Sequence, residues 1–301
     1  MSERGVNERG LRERLGDLAR ARRSPPAPGA SDELPGADAP APAESGARAL
    51  SESPVSVAEH AAAVGVEAFL PGGEWRGSRG TLFVHERLRS EIERRRPDWG
   101  TIESTPEFPE LEALASGGLE RALFLDLETG GLSSSPVFLA GTMRWNGEDF
   151  VLRQLFARHY GEEAALLEAL AAMMPEFHTL VTFNGKSYDL PFLTQRAILH
   201  GVRIHPPPAH LDLLHLARRR WKHDLSDCRL QTLERFVCRR MRWGDVPGEE
   251  VPGLYHDFVR RGDPYRLIPV FHHNLLDVIT MAEILRALCR PAGGPERTGR
   301  R

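Results

Sequence analysis

Asp126 and Glu128 stand one residue apart in the stretch Leu123-Phe-Leu-Asp126-Leu-Glu128-Thr129-Gly130-Gly131. A short apolar run precedes them and a Thr-Gly-Gly turn follows, so the pattern predicts a strand ending in two acids. Alternate side chains of a strand share a face, so both carboxylates point the same way. Side by side at the end of a buried strand they repel and resist desolvation, unless cations sit between them. The chemistry suggested is a site for hard metal ions with oxygen ligands, of the kind used in phosphoryl transfer. Asp-x-Glu alone is a common tripeptide and usually a solvated one. The weight comes from two later segments.

In Val181-Thr-Phe-Asn184-Gly185-Lys186-Ser187-Tyr188-Asp189-Leu190-Pro191-Phe192-Leu193, Asn184-Gly185 breaks a short apolar strand and Asp189 sits at the mouth of the next helix. Asp is a favoured helix cap there. The same place, just past the carboxyl end of a parallel strand, is where α/β sheets bind ligands. In Val270-Phe-His272-His273-Asn274-Leu-Leu-Asp277-Val278, a regular helix puts His273 and Asp277 four apart on one face, whereas His272 points elsewhere. Val278, Met281 and Leu285 flank Asp277 on the apolar side, and a buried Asp needs a partner or a metal.

The elements that must position these acids follow from hydrophobic periodicity. Ala122–Leu127 reads as a strand. Val137–Trp145 and Phe150–Ala157 read as a hairpin turning at Asn146-Gly147. Gly161–Met174 is a helix, Thr179–Phe183 a buried strand, and Leu190–His200 a helix capped by Gly201. Leu211–Trp221, Leu230–Arg239, Leu254–Arg261 and Ile268–Leu288 read as further helices, the last with Pro269 near its start, where proline is tolerated. A meander joined to parallel strands through helical crossovers makes a three-layer α/β domain.

Upstream, Leu11, Leu15 and Leu18 predict a short helix within Glu8–Arg22. Ser24–Pro54, rich in Pro, Ala, Gly and Ser, reads as a disordered linker. The opening helix therefore docks back on the domain, binds a protein partner or frays. The expected organisation is a flexible region over 1–54, a partly ordered extension over 55–110 lying against the main domain, the α/β domain over 111–290, and a disordered tail over 291–301. Within the extension, Thr81–His85 reads as a short strand.

Composition is that of a globular protein, with 41% hydrophobic and 27% charged residues among 301. The net charge of −3 supplies no global field for nucleic acid, so any polyanion must be held locally. The 3 cysteines have no CxxC spacing, which argues against a disulfide framework and a zinc site and fits a reducing cytosol. No apolar run approaches a membrane span, and the N-terminus lacks the apolar segment of a secretory signal, so the expected location is cytoplasmic, with no membrane partner.

Together Asp126, Glu128, Asp189 and Asp277 resemble the four acids of the DEDD 3′–5′ exonuclease superfamily. Asp-Leu-Glu-Thr, Asn184-x-x-x-Tyr188-Asp189 and a His shortly before Asp277 match its three motifs in order. Asn184-Gly-Lys-x-Tyr-Asp-x-Pro-Phe-Leu, Leu211-Asp212-Leu-Leu-His-Leu-Ala-Arg and His273-Asn-x-x-Asp-Val resemble the YprB-type ribonuclease-H-like branch. The resemblance covers Leu123–Leu288 and implies a ribonuclease-H-like three-layer fold with a mixed five-stranded sheet. It also implies two Mg²⁺ or Mn²⁺ ions on the four acids, and hydrolysis of single-stranded DNA or RNA from a free 3′ end.

A histidine would act as general base. The superfamily places its base either four positions before the last Asp, as Tyr, or five before, as His. His273 fills the first slot and His272 the second. The helical-face argument favours His273, with His272 as the alternative. Thr129 matches the position that meets the terminal nucleotide, Asn184 and Tyr188 belong to the second motif, and Lys186 beside Asp189 is a phosphate contact. Arg218-Arg-Arg-Trp221-Lys222-His223 is a candidate basic groove or an ordinary solvated helix end. Asp212 reads as structural rather than a fifth ligand, and Trp75, Trp145 and Trp243 as packing. A catalytically inactive nucleic-acid-binding module on the same fold is the competing reading. Such a module is expected to lose at least one acid, and all are present.

Overall fold

The computed structural model describes residues 65–93, 107–132, 134–242 and 244–290. All of these fall in one compact unit. The predicted helix at Glu8–Arg22, the linker, the C-terminal tail and Trp243 lie outside the described residues.

A 7-stranded mixed sheet forms the centre, two strands more than expected. Its strands are β1 (Gly73–Gly77), β2 (Gly80–Leu88), β3 (Ala122–Thr129), β4 (Val137–Trp145), β5 (Phe150–Phe156), β6 (Thr179–Thr182) and β7 (Ala209–Asp212), in the spatial order β1-β2-β5-β4-β3-β6-β7. β1 and β2 are the difference. The N-terminal extension does not merely lie against the domain: β2 pairs antiparallel with β5 from Phe83↔Phe156 to Leu88↔Val151 and lengthens the sheet. β3 pairs antiparallel with β4 and parallel with β6, which pairs parallel with β7.

The helices are α1 (Arg89–Ile92), α2 (Glu112–Gly117), α3 (Glu163–Met173), α4 (Asp189–Leu199), α5 (Leu213–Trp221), α6 (Leu230–Phe236), α7 (Val251–Arg261) and α8 (Ile268–Leu288). Strand alternation assigns them to layers. Phe124 on β3 packs with Met143, Leu152 and Val181 against Val278, Met281 and Leu285 of α8 and Leu216 of α5. Leu123, Leu125 and Leu127 face the other way, onto Leu166 and Leu170 of α3 and Phe192 and Leu193 of α4. A third cluster, Phe138, Phe156, Tyr255, Phe258 and Phe271, seats α7 and the start of α8 on the sheet. Asp126 and Glu128 share the face of Phe124, so they meet the layer that carries α8.

α8 covers the predicted residues Ile268–Leu288 without interruption. Asn146 turns the β4–β5 hairpin, its Oδ1 accepting the Glu148 and Asp149 amides at 3.0 and 2.8 Å. Trp145 packs edge-on against Phe150, and Trp75 against the second cluster. Leu211–Trp221 is not all helix. Ala209–Asp212 is a four-residue strand, and Asp212 then caps α5 by accepting the Leu214 amide at 3.1 Å. Cys228, Cys238 and Cys289 are free thiols. Among the described residues no helix is long and apolar enough to cross a membrane.

Candidate active site

Three chain segments bring the acids together. Asp126 and Glu128 end β3, Asp189 opens α4 just after β6, and Asp277 comes from the middle of α8. β3 and β6 pair only from Ala122↔Thr179 to Phe124↔Val181. Beyond that register the Leu127 amide is taken by Asp189 Oδ1 at 3.1 Å, so the carboxylate ties α4 to β3 rather than merely capping its own helix.

Asp126 is held by Asn274, whose Nδ2 donates to Oδ2 at 2.9 Å. Asn274 is fully buried, and its own Oδ1 accepts from Gln154 Nε2 at 3.0 Å. Gln154 also donates to the Phe271 carbonyl at 2.8 Å. β4 leaves room for this chain of amides through Gly141, which pairs with Asp126. A Cβ there would lie 2.2 Å from Asn274 Oδ1.

Asp277 meets a guanidinium and an imidazole. Arg242 Nη2 donates to its Oδ1, and His273 Nε2 lies 3.5 Å from its Oδ2. Arg242 also reaches Glu234 through Nε and Asp245 Oδ2 through Nη1, the latter at 3.2 Å. His273 Nδ1 meets Asp245 Oδ1 at 2.8 Å. α8 is helical through both histidines, the condition under which His273 rather than His272 faces Asp277. His272 is half-buried, and burial pushes its pKa down.

The electrostatics follow from burial and crowding of like charge. Burial first, then the charges of Asp277 and Asp189, hold the Asp126 carboxyl well above its usual range. Burial and the charges of Asp126, Asp277, Asp189 and Asp245 do the same to Glu128. Burial pushes Asp189 up to about 7, against the pull of the Leu127 amide and its own. Asp277 is raised by burial although Arg242 and His273 oppose it. For His273 burial disfavours charge, but the Asp245 hydrogen bond and the charges of Asp277 and Asp245 outweigh it, so its pKa is raised. Asp245 is lowered, since the His273 bond and the Arg242 charge overcome its own burial. The surrounding acids favour the protonated imidazole more than water would.

The remaining predicted residues line one side. Thr129 Oγ1 donates to the Gly131 carbonyl at 2.9 Å and lies 3.1 Å from the hydroxyl of half-exposed Tyr188. Asn184, at φ 64°, and Lys186 are exposed, and their amides donate to buried Asp212 at 2.8 and 3.0 Å. Asp212 thus shapes the loop before Asp189, in keeping with a structural role. Within Arg218–His223, two of the cations are committed to acids. Arg219 makes a two-pronged bond to Glu110 at 2.7 Å, Arg220 bonds Glu107 at 2.7 Å, and both guanidinium groups lie over the Phe108 ring.

Gln154, Gly141, Arg242 and Asp245 were not singled out from the sequence, and Asn274 only as part of the stretch His273-Asn-x-x-Asp-Val. Asn274 and Asp245 carried signals. One is an amide between His273 and Asp277 on an apolar helix, the other an acid three residues after an arginine.

Residues 123–289 match the family model of the RNase_H superfamily. The chain belongs to the ribonuclease H superfamily. This superfamily member is also 34% identical over 166 residues to the uncharacterized protein YprB of Bacillus subtilis (strain 168). The match spans 54% of this chain and 40% of that protein's length. It makes the domain a YprB-type ribonuclease-H-like domain. Among solved structures it is similar to the family B DNA polymerase from the hyperthermophilic archaeon Pyrobaculum calidifontis. There the identity is 16%, the TM-score 0.44, and the coverage 57% of this chain and 27% of the polymerase chain.

The donor set of this ribonuclease-H-like site fits hard divalent ions in its chemistry: buried Asp189 and half-buried Asp126, Glu128 and Asp277, carboxylates whose like charges raise one another's pKa. Among the described residues no three His, Cys, Asp or Glu side chains are disposed to grip one ion at once. The oxygens are turned instead to protein donors: Asp126 to Asn274, Asp189 to the Leu127 amide, and Asp277 to Arg242.

Proposed function

We propose that this domain is a metal-dependent 3′–5′ exonuclease of the DEDD type, acting on single-stranded DNA or RNA. The observation that carries the reading is the meeting of Asp126, Glu128, Asp189 and Asp277 from three segments, with charge crowding that bound cations would relieve. Asp126, Glu128, Asp189 and Asp277 would hold two Mg²⁺ or Mn²⁺ ions, which activate water and stabilise the leaving oxygen in phosphodiester hydrolysis.

The chain's own groups do the rest. Asn274 fixes the Asp126 carboxylate through its amide. Asp245 orients His273 by accepting from Nδ1, which leaves Nε2 as the atom that takes a proton from water. Thr129 and Tyr188, joined through their hydroxyls, present a partly exposed polar edge beside the acids for a terminal nucleotide. Exposed Lys186 and Asn184, on the loop that ends at Asp189, would meet phosphate.

The test uses single-stranded DNA and RNA labelled at the 3′ or the 5′ end, with Mn²⁺ and with EDTA. Release of 3′ label as mononucleotide in Mn²⁺ and none in EDTA is expected. Internal cuts, or turnover that survives EDTA, would sink the reading. Single-turnover kinetics then assign the base. His273→Ala should cut the chemical step by roughly 10²–10⁴-fold and His272→Ala far less, and the reverse ranking would move the role to His272.

A further inference from the structure

Arg242 carries a charge into the acid cluster for which the proposed chemistry has no use. Its side chain is 7% exposed and contacts three carboxylates, those of Glu234, Asp245 and Asp277. Asp277 is one of the four acids assigned to metal, and its Oδ1 is occupied by the guanidinium. A divalent ion drawn to Asp277 must therefore share that carboxylate with the guanidinium. Two positive groups that close also repel strongly in a site shielded from water.

Arg242 has somewhere else to go. Without Asp277 it keeps Glu234 and Asp245. Glu234, itself buried, has an Oε1 that accepts no hydrogen bond and meets only Arg240 Nη1 at 3.7 Å, so a two-pronged grip by the planar Arg242 guanidinium would satisfy it. A cavity of about 410 Å³ lies on that side, lined by Glu234, Arg240, Met241, Arg242, Asp245 and Val246 among others. Asp245, on the same stretch between α6 and α7, is the partner of His273 Nδ1.

We propose that Arg242 is the resident cation of the acid cluster, a latch that leaves Asp277 when a divalent ion takes that carboxylate and that shifts the 237–250 stretch as it goes. The inference rests on the reading of the four acids as a metal centre. Loading the ion and setting His273 would then be one event, because Arg242 and Asp245 ride on the same stretch.

The experiment is Mn²⁺ titration calorimetry on the full chain and on Arg242→Gln, with hydrogen exchange of the wild-type chain with and without Mn²⁺. A charge within about 4–6 Å shifts such equilibria by one to three powers of ten. Arg242→Gln should therefore bind Mn²⁺ at least about tenfold more tightly. Mn²⁺ should speed exchange in wild-type peptides from 237–250 while protecting those of β3 and α8. Unchanged affinity in a folded Arg242→Gln protein overturns the latch. Tighter binding with no change of exchange over 237–250 also overturns it, since that is a field effect alone. Should Arg242→Gln not fold, the wild-type exchange decides by itself. Absence of Mn²⁺ binding in both proteins would instead remove the metal centre, and with it the proposed function.

Discussion

Gly141→Ala places a methyl group where the Asn274 amide lies. The new Cβ would stand 2.2 Å from Asn274 Oδ1, 2.7 Å from its Cγ and 2.8 Å from its Nδ2, all inside van der Waals contact. Asn274 is fully buried and bonded on both sides, to Asp126 and to Gln154, so it has no rotamer to retreat to without breaking a bond. Overpacking a buried site costs about 1–3 kcal/mol. Losing a hydrogen bond to a charged group costs about 1.5–3 kcal/mol. The two overlap, so a combined loss of about 2–5 kcal/mol is expected, a fall in Tm on the order of 10 °C for a domain this size. Scanning calorimetry measures it. The double variant Gly141→Ala/Asn274→Ala makes the argument sharper, because alanine at 274 vacates the volume the methyl needs. The pair should be more stable than the sum of the single effects by at least about 1 kcal/mol, the range expected of contacting residues. A Gly141→Ala protein melting within about 2 °C of wild type, well inside the shift estimated above, would refute the steric account of how Asp126 is held.

Asp126→Asn removes one of several repelling carboxylates, so it should melt no lower than wild type while Mn²⁺-dependent nuclease activity falls to background, read by calorimetry and end-labelled substrate. Glu163 on α3 is buried, accepts the Val137 amide at 2.8 Å and Arg196 Nε at 2.7 Å, and meets His200 Nε2 at 2.8 Å. Glu163→Gln strands the Arg196 charge and should cost about 3–5 kcal/mol in denaturant unfolding, the range for breaking a buried pair. His85 is buried with Nδ1 against the Pro71 carbonyl, and burial lowers its pKa below 6.5 despite that bond. Below pH 6.5 the unfolded chain takes up a proton there that the folded chain refuses. Its contribution is therefore full above that pH and is lost as pH falls toward the folded pKa. His85→Asn should flatten the acid limb of the stability–pH curve measured by urea titration, and an unchanged slope would count against it.

The fold was legible where an element imposes its own period. Alternation along Leu123–Glu128 placed both acids on one face of β3, and helical spacing over Ile268–Leu288 put His273 and Asp277 together, because each depends only on local geometry. Ala209–Asp212 was missed for the opposite reason. The strand is four residues long and runs straight into the helix its last residue caps, so no alternation develops before helical spacing begins. β1 and β2 were half-seen. The Thr81–His85 signal marks a strand, but its pairing partner β5 lies far along the chain, and register is a tertiary property. The cluster at Arg218–His223 looked basic because its counter-charges, Glu107 and Glu110, are over a hundred residues away in sequence.

Asp126, Glu128, Asp189 and Asp277 could be found as chemistry because crowded like charges favour a cation among them, and the sequence reading answered that demand with metal ions alone. Arg242 answers part of it from within the chain. It lies in a stretch with no periodicity, between α6 and α7, where residue type says nothing about which carboxylate a guanidinium will meet. A charge count over the predicted core would still have raised the question: four acids on buried elements, and no side-chain cation assigned to balance them. Arg242 three residues before Asp245, both contacting the groups around Asp277, is the kind of pair such a count selects. Acid motifs in a chain therefore say where positive charge must gather. Which positive charge gathers there is decided by loops that only the folded structure brings close.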